Sequence, residues 1–335
     1  MTDPLRVSVV VPTYRRADDL EMCLRALAAQ TRPADEVVVV HRPDDVEALA
    51  RCQSYEQELP VAAIQVEEPG QVAALNAGLD AATGSVVAFT DDDCRPRPEW
   101  VERLAAWFAS DERIGAVGGR DVVHENGSLL ELRADAVGRI RWFGRHVGNH
   151  HAEAPAQDVQ FLKGANMAFR SDALDGFDTR LRGAGAQVCN DLQASLGVWR
   201  RGRRVVWDPK VSVDHYPAAR LDGDSRDRRS REAIVAHHHN DVYVLLSELP
   251  AWNKVTALLY RLLVGTRAAP GLVHLAFHMR HAGRADAWFR FRAVTAGRLS
   301  GLRTFAGSRR SGRRAAEDAA ADVADRPAHG TRAHG

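Results

Sequence analysis

Short β-branched runs alternate with amphipathic stretches through the first third of the chain, the pattern of βαβ units that build a mostly parallel sheet. Residues 7–11 predict a first strand, which Pro12 stops. Asp18 or Asp19 can cap the helix that follows, whose apolar positions Leu20, Leu24 and Leu27 recur at i, i+4 and i+7. The four valines at 37–40 predict a strand buried on both faces. Residues 61–66 predict a further strand, and 71–82 a helix with Val72, Leu75 and Leu79 on one face and Gly84 as its stop. The strand at 86–89 then runs straight into Thr90, Asp91, Asp92 and Asp93.

Beyond that point the pattern predicts a helix over 99–108, a strand near 114–117, a strand or strand edge over 161–170 and a helix over 191–200 closed by Gly202. Short strands are expected at 205–207 and 211–213, and loops with one short helix over 120–160. After Leu221 the character changes to a charged link and then to helical stretches reaching about Leu302. The last 28 residues are rich in Arg, Ala, Gly and Asp with almost no large apolar groups, so disorder is expected there.

Composition changes this picture in three places. With 45% apolar and 27% charged residues in 335, the chain is an ordinary globular one with room for a substantial core. The net charge of +1 conceals a basic C-terminal segment: Arg280 to Arg314 holds ten arginines against one acid, Asp286. Such a segment suits an anionic surface, and Trp288, Phe289 and Phe291 among Arg284, Arg290 and Arg292 suit a helix lying on lipid as well as they suit a helical cap. The four cysteines form no close pair, as expected of reduced cytosolic thiols. No secretory leader is expected at the start, and the apolar stretches near 255–264 and 268–279 fall short of the roughly 20 residues a transmembrane helix needs. The expected location is cytoplasmic or peripheral on the inner face of the cell membrane.

Three consecutive acids at a strand end are costly to hold together unless a cation lies among them. In open α/β sheets ligands gather outside the carboxyl ends of the strands, so Asp91 and Asp93 are candidate ligands for Mg2+ or Mn2+ and substrate phosphates. Aspartate-nucleophile phosphatases also place Asp-x-Asp after a strand, but Arg95 stands where they need threonine. Gly115, Gly118 and Gly119 do not form G-x-G-x-x-G, no P-loop occurs, and nothing points to a nucleic acid partner. His237, His238 and His239 splay by about 100° each on a helix and are expected on the surface by chance, not around one ion.

Read in order, the segments resemble the family 2 glycosyltransferases of the GT-A fold. Val9–Val10–Val11–Pro12–Thr13–Tyr14 resembles the family's first strand and nucleotide loop. Pro69–Gly70 with Ala74–Leu75–Asn76–Ala77–Gly78 resembles its second helix, and Phe89 to Asp93 followed by Pro98 its Asp-x-Asp turn. Lys163 to Arg170 resembles the acceptor-side segment, followed by Gly176–Phe177–Asp178, and Asp208–Pro209 with His215 the closing strand. The resemblance covers residues 5 to about 216. It implies a GT-A catalytic domain over 1–221, with a nucleotide-sugar half at 1–120 and an acceptor half at 121–221, then a helical extension at 222–305 and a disordered tail at 306–335.

By that resemblance the reaction is inverting transfer of a sugar from a nucleotide-diphosphate sugar to an acceptor hydroxyl, on Mn2+ or Mg2+, in bacterial cell-surface polysaccharide or glycolipid assembly. Asp93 is the expected metal ligand, with His215 as a second. Donor-side residues are Pro12, Thr13, Tyr14, Arg16, Asp44, Asn76, Asp91 and Asp92, and acceptor-side residues Gly164, Ala165 and Asn166. Asp191 is the expected base. Two departures from the family stand out. Asn190 replaces the usual glutamate before the base. Arg42 occupies the position of an acid that reads uracil, with Asp44 as its substitute. UDP-sugar is the expected donor, GDP- and dTDP-sugars the other options. A sugar-nucleotide or glycan-binding module without turnover is the competing reading.

Overall fold

The computed structural model describes residues 5–125, 128–129, 133–183, 185–217, 230–281 and 284–324. The first half alternates as expected, with one helix, α2, that the pattern did not predict: β1 (Val7–Pro12), α1 (Ala17–Ala28), β2 (Glu36–His41), α2 (Val46–Tyr55), β3 (Val61–Gln65), α3 (Gln71–Ala81) and β4 (Val86–Phe89). A three-residue strand β5 (Cys94–Pro96), α4 (Trp100–Ser110) and the long β6 (Ile114–Glu125) follow. Next come β7 (Ser128–Leu129), β8 (Arg139–Ile140), β9 (His146–Val147), β10 (Gln157–Asp158) and β11 (Met167–Arg170), then α5 (Asn190–Arg200) and β12 (Arg204–His215). Four helices end the chain: α6 (Arg231–Glu248), α7 (Ala251–Leu263), α8 (Leu272–His281) and α9 (Arg284–Ala324).

The principal sheet runs β10-β12-β6-β11-β4-β1-β2-β3, with β5 attached to β12. Strands β4, β1, β2 and β3 are parallel, β11 runs antiparallel to both β4 and β6, and β6 pairs parallel with β12. Both faces are covered, which is why the valines of β1 and β2 run consecutively. Val7, Val9, Val11, Val37 and Val39 face a core shared with α1, α2 and α4, while Val10, Val38 and Val40 face one shared with α3, α5 and α6. Gly78 of α3 is needed here, because a Cβ would lie 2.3 Å from a methyl of Val10.

Several expectations change, the cap of α1 among them: its N-cap is Arg16, and Asp18 and Asp19 stand inside the first turn. Among the described residues of 120–160 there is no helix; β6 continues to Glu125 and a two-stranded β8–β9 hairpin follows. The strands expected at 205–207 and 211–213 are one, β12, with a register shift between Asp208 and Val213. Residues 161–166 precede β11 as a turn closed by the Asn166 N–H on the Lys163 carbonyl. Helix α9 continues to Ala324, into the segment expected to lack structure, which accords with the high helix propensity of its alanines and arginines. Residues 325–335 of that tail lie outside the described residues.

Helix α6 belongs to the second core through Tyr243 and Val244. It packs closely on α9, where a Cβ on Gly297 or Gly301 would lie 2.6 or 2.5 Å from the carbonyl oxygens of Val235 or His239. His239 is therefore fully buried and not on the surface: of three adjacent histidines one must face the neighbouring helix, and its imidazole bonds Ser300.

Candidate active site

The loop after β1 is shaped by two acids from different strand ends. The Asp45 carboxylate accepts from the Arg15 N–H, where the backbone is left-handed (φ 53°), and from the Ala48 N–H, which caps α2. Asp92 is 4% exposed and accepts from the Thr13 hydroxyl at 2.8 Å and from Arg16 Nη1 at 3.0 Å. Burial pushes its carboxyl up to about 7, against the pull of Arg16. Arg16 Nη1 also lies 3.7 Å from Asp93 Oδ2. The guanidinium thus shares the charge of the acidic turn, and Arg16 lines the cleft beside it.

Asp93 and His215, far apart in sequence, meet because β5 and β12 pair antiparallel with His215 opposite Cys94. The Tyr216 N–H donates to the Asp93 carbonyl, which fixes the end of the turn. His215 Nε2 lies 3.4 Å from Asp93 Oδ1, and His215 Nδ1 lies 2.9 Å from Asp121 Oδ1. Among the described residues, Asp93, Cys94 and His215 bring one ligand atom each within 4.8 Å of one another. An oxygen, an imidazole nitrogen and a backing carboxylate fit a divalent cation. Burial pushes the Cys94 thiol well up, so it is a weak ligand for Mg2+ or Mn2+.

Across the cleft, α5 starts from Cys189, a left-handed residue (φ 71°). Asp191 stands in its first turn; one oxygen accepts from the Leu192 N–H at 2.7 Å and the other from the Gly164 N–H at 3.1 Å. The two N–H donors, one from α5 and one from the turn before β11, fix the direction of this carboxylate. The Asn190 amide donates to Gln71 Oε1 and to the Gln187 carbonyl, and Gln187 Oε1 in turn accepts from the Val72 N–H. The residue in place of glutamate therefore ties the start of α5 to the start of α3.

These pieces enclose a cavity of about 360 Å³. Pro12, Thr13, Tyr14, Arg16, Asp91, Asp92, Asp93, Gly164, Ala165, Asp191 and His215, all expected in the site, line it. Three expected residues do not. Asp44 pairs with Arg15 at an exposed position, away from the cavity wall that Arg42 occupies. Asn76 clamps the backbone of Phe177, donating to its carbonyl and accepting from its N–H. Asn166 is buried, accepting from Trp100 Nε1 and donating to the carbonyls of Arg120 and Val211. Short amides satisfying the backbone carry the same letters as amides facing a ligand. Gln71 and Lys163 line the cavity too, and Asp121 stands directly behind His215, although no local pattern marks that acid.

The pattern of the Glycosyl transferase family 2 matches residues 8–177. The glycosyltransferase AglE of Haloferax volcanii is 33% identical over 135 residues, 39% of this chain and 44% of that protein, so the chain spans under half of this relative's length. The mannosyltransferase PcManGT of Pyrobaculum calidifontis, solved with GDP-Man and Mn2+, aligns with a TM-score of 0.51 at 22% identity, over 90% of this chain and 88% of that one. S. aureus TarS 1–349 with UDP-GlcNAc aligns with a TM-score of 0.56 at 18% identity, over 90% and 92%. The fold is that of the GT-A glycosyltransferases.

Proposed function

The chain belongs to glycosyl transferase family 2, and from that premise we propose that its cleft moves a sugar from a nucleotide-diphosphate sugar to an acceptor hydroxyl with inversion at the anomeric carbon. The observation that carries this is one cavity lined by the strand-end acids on one side and by Asp191 at the start of α5 on the other. Asp191 takes the acceptor proton. Its two N–H bonds hold the carboxylate in place while it does so. Asp91 faces the donor ribose, Arg16 the diphosphate, and Asp93 with His215 holds Mn2+ or Mg2+. That cation, when bound, supplies charge neutralisation for the departing diphosphate.

The first donor to test is a UDP-sugar, with GDP- and dTDP-sugars as the other arms because Arg42 lines the cavity. A thermal shift with one nucleotide sugar that requires Mn2+ supports the assignment, since a ligand of the folded state stabilises it by mass action. No shift with any of them favours a module without turnover. Asp191→Asn should lower kcat by about 10²–10⁴ with donor affinity kept; unchanged turnover sinks the base assignment.

The acceptor is carried on lipid, and the chain meets it by lying on the membrane surface. No helix among the described residues is long and apolar enough to cross a membrane. Yet of the sixteen exposed large hydrophobic residues among those described, fourteen lie between Trp252 and Leu302. On α7, Trp252, Val255, Leu259 and Leu262 share an outward face, while Thr256, Ala257 and Arg261 pack inward. No Asp or Glu occurs between Glu248 and Asp286, whereas Lys254, Arg267, Arg280 and Arg284 do. Apolar groups with a one-signed basic surround match an anionic lipid surface. Flotation with vesicles containing anionic lipid should carry the protein up, and Trp252→Ser with Leu259→Ser should leave it behind. A stoichiometric dimer that buries this face and ignores vesicles would overturn the membrane reading and leave the transferase reading intact.

A further inference from the structure

We infer that Asp121 is a positioning residue, one that sets the tautomer and direction of His215 and so turns a ring nitrogen toward the cation. The inference rests on the reading that Asp93 and His215 hold that ion. Asp121 is 0% exposed on β6, and its two oxygens face two different elements. Oδ1 lies 2.9 Å from His215 Nδ1 on β12, and Oδ2 accepts from Lys163 Nζ on the turn before β11. A buried carboxylate is tolerated only when such partners compensate it. A carboxylate facing Nδ1 is met by an Nδ1–H donor, and in the neutral ring this leaves the lone pair on Nε2. Nε2 is the nitrogen 3.4 Å from Asp93 Oδ1.

Sheet geometry makes the arrangement rigid. Asp121 is in register with Val213, two residues before His215, just past the point where β12 shifts register. That shift needs Gly119, because a Cβ there would lie 1.6 Å from the Val211 carbonyl oxygen. Asn166 bonds the carbonyls of Arg120 and Val211 from the third side. The Asp121 backbone N–H donates to the His150 carbonyl, so the main chain carrying the carboxylate is anchored as well. A carboxylate behind a metal-binding imidazole commonly accounts for about 10–100-fold in metal affinity.

The alternative is a buried ion pair with Lys163 that only stabilises the fold. Two readouts separate them in the full chain. Mn2+ affinity, measured by titration with UDP, GDP or dTDP present, should fall about 10–100-fold in Asp121→Asn. In His215→Ala it should fall comparably, and in the double variant no further than in His215→Ala alone. Nitrogen-15 shifts of His215, read without metal, should report Nδ1–H in the natural chain and a changed tautomer population in Asp121→Asn. Should that variant not fold, Asp121→Glu keeps the charge beside Lys163 while moving the oxygens by a methylene, and should also lose Mn2+ affinity. Losses that add in the double variant, or a tautomer indifferent to residue 121, overturn the inference. A natural chain that binds no Mn2+ with any nucleotide overturns the cation reading instead, and the nitrogen shifts still decide what Asp121 does to His215.

Discussion

At the scale of residues, the site combines groups that sequence order exposes with groups that only the fold brings near. Asp91, Asp93 and Asp191 were legible because each ends or begins an element whose hydrophobic pattern is plain. Asp121 was not, because its place behind His215 comes from the register of β6 against β12 and from nothing in its own neighbourhood. Asn76 and Asn166 do not line the cavity: an amide inside helix α3, or at the end of the turn before β11, carries the same letter whether it serves ligand or backbone. His239 offers a test of buried chemistry away from the cleft. Burial, assisted by Arg182, holds its imidazole down at about 4, from an ordinary 6.5. The unfolded chain therefore takes up a proton first as the solution is acidified. Stability present in full above pH 6.5 should drain away as the pH falls toward 4, and His239→Gln should flatten that slope in chemical denaturation measured between those pH values.

At the scale of elements, the pairing of β5 with β12 brings two distant sequence positions, Asp93 and His215, within 3.4 Å of each other. A strand of three residues leaves no periodicity to read. Helix α2 escaped notice because its inward positions, Ala48, Cys52 and Tyr55, are small or ambiguous and make no conspicuous apolar stripe. The contact between α6 and α9 depends on Gly297 and Gly301, so Gly301→Val should overpack it at a cost of about 1–3 kcal/mol, read as a lower melting temperature. Helix α6 also reaches the site. Its Asn240 donates to the carbonyls of Arg182 and Val188 and accepts from the Arg182 N–H, bracing the loop that contributes Ala186 and Val188 to the cavity wall. Asn240→Ala leaves those groups without it, costing roughly 1–3 kcal/mol. Steady-state kinetics should show KM for the acceptor rising more than the affinity for donor falls.

At the scale of the whole molecule, the parallel half of the sheet was plain from alternation alone, whereas the reversal at β11 was not, since a four-residue antiparallel strand reads like any other buried run. The C-terminal helices are coupled to the rest by buried groups: Arg261 bonds Asp241 through both carboxylate oxygens and reaches the Gly144 carbonyl, and Arg298 bonds the carbonyls of Arg261, Ala269 and Pro270. Arg298→Met should therefore loosen α7, α8 and α9 together, detectable as joint loss of hydrogen-exchange protection across all three. The outward face of α7 has a kinetic corollary. A protein held by such a face searches for a lipid-carried acceptor in two dimensions, so what it senses is the acceptor's mole fraction in the surface, not its amount in the flask. Added carrier lipid without acceptor should slow turnover at constant total acceptor, while the same lipid should leave a water-soluble acceptor's rate untouched.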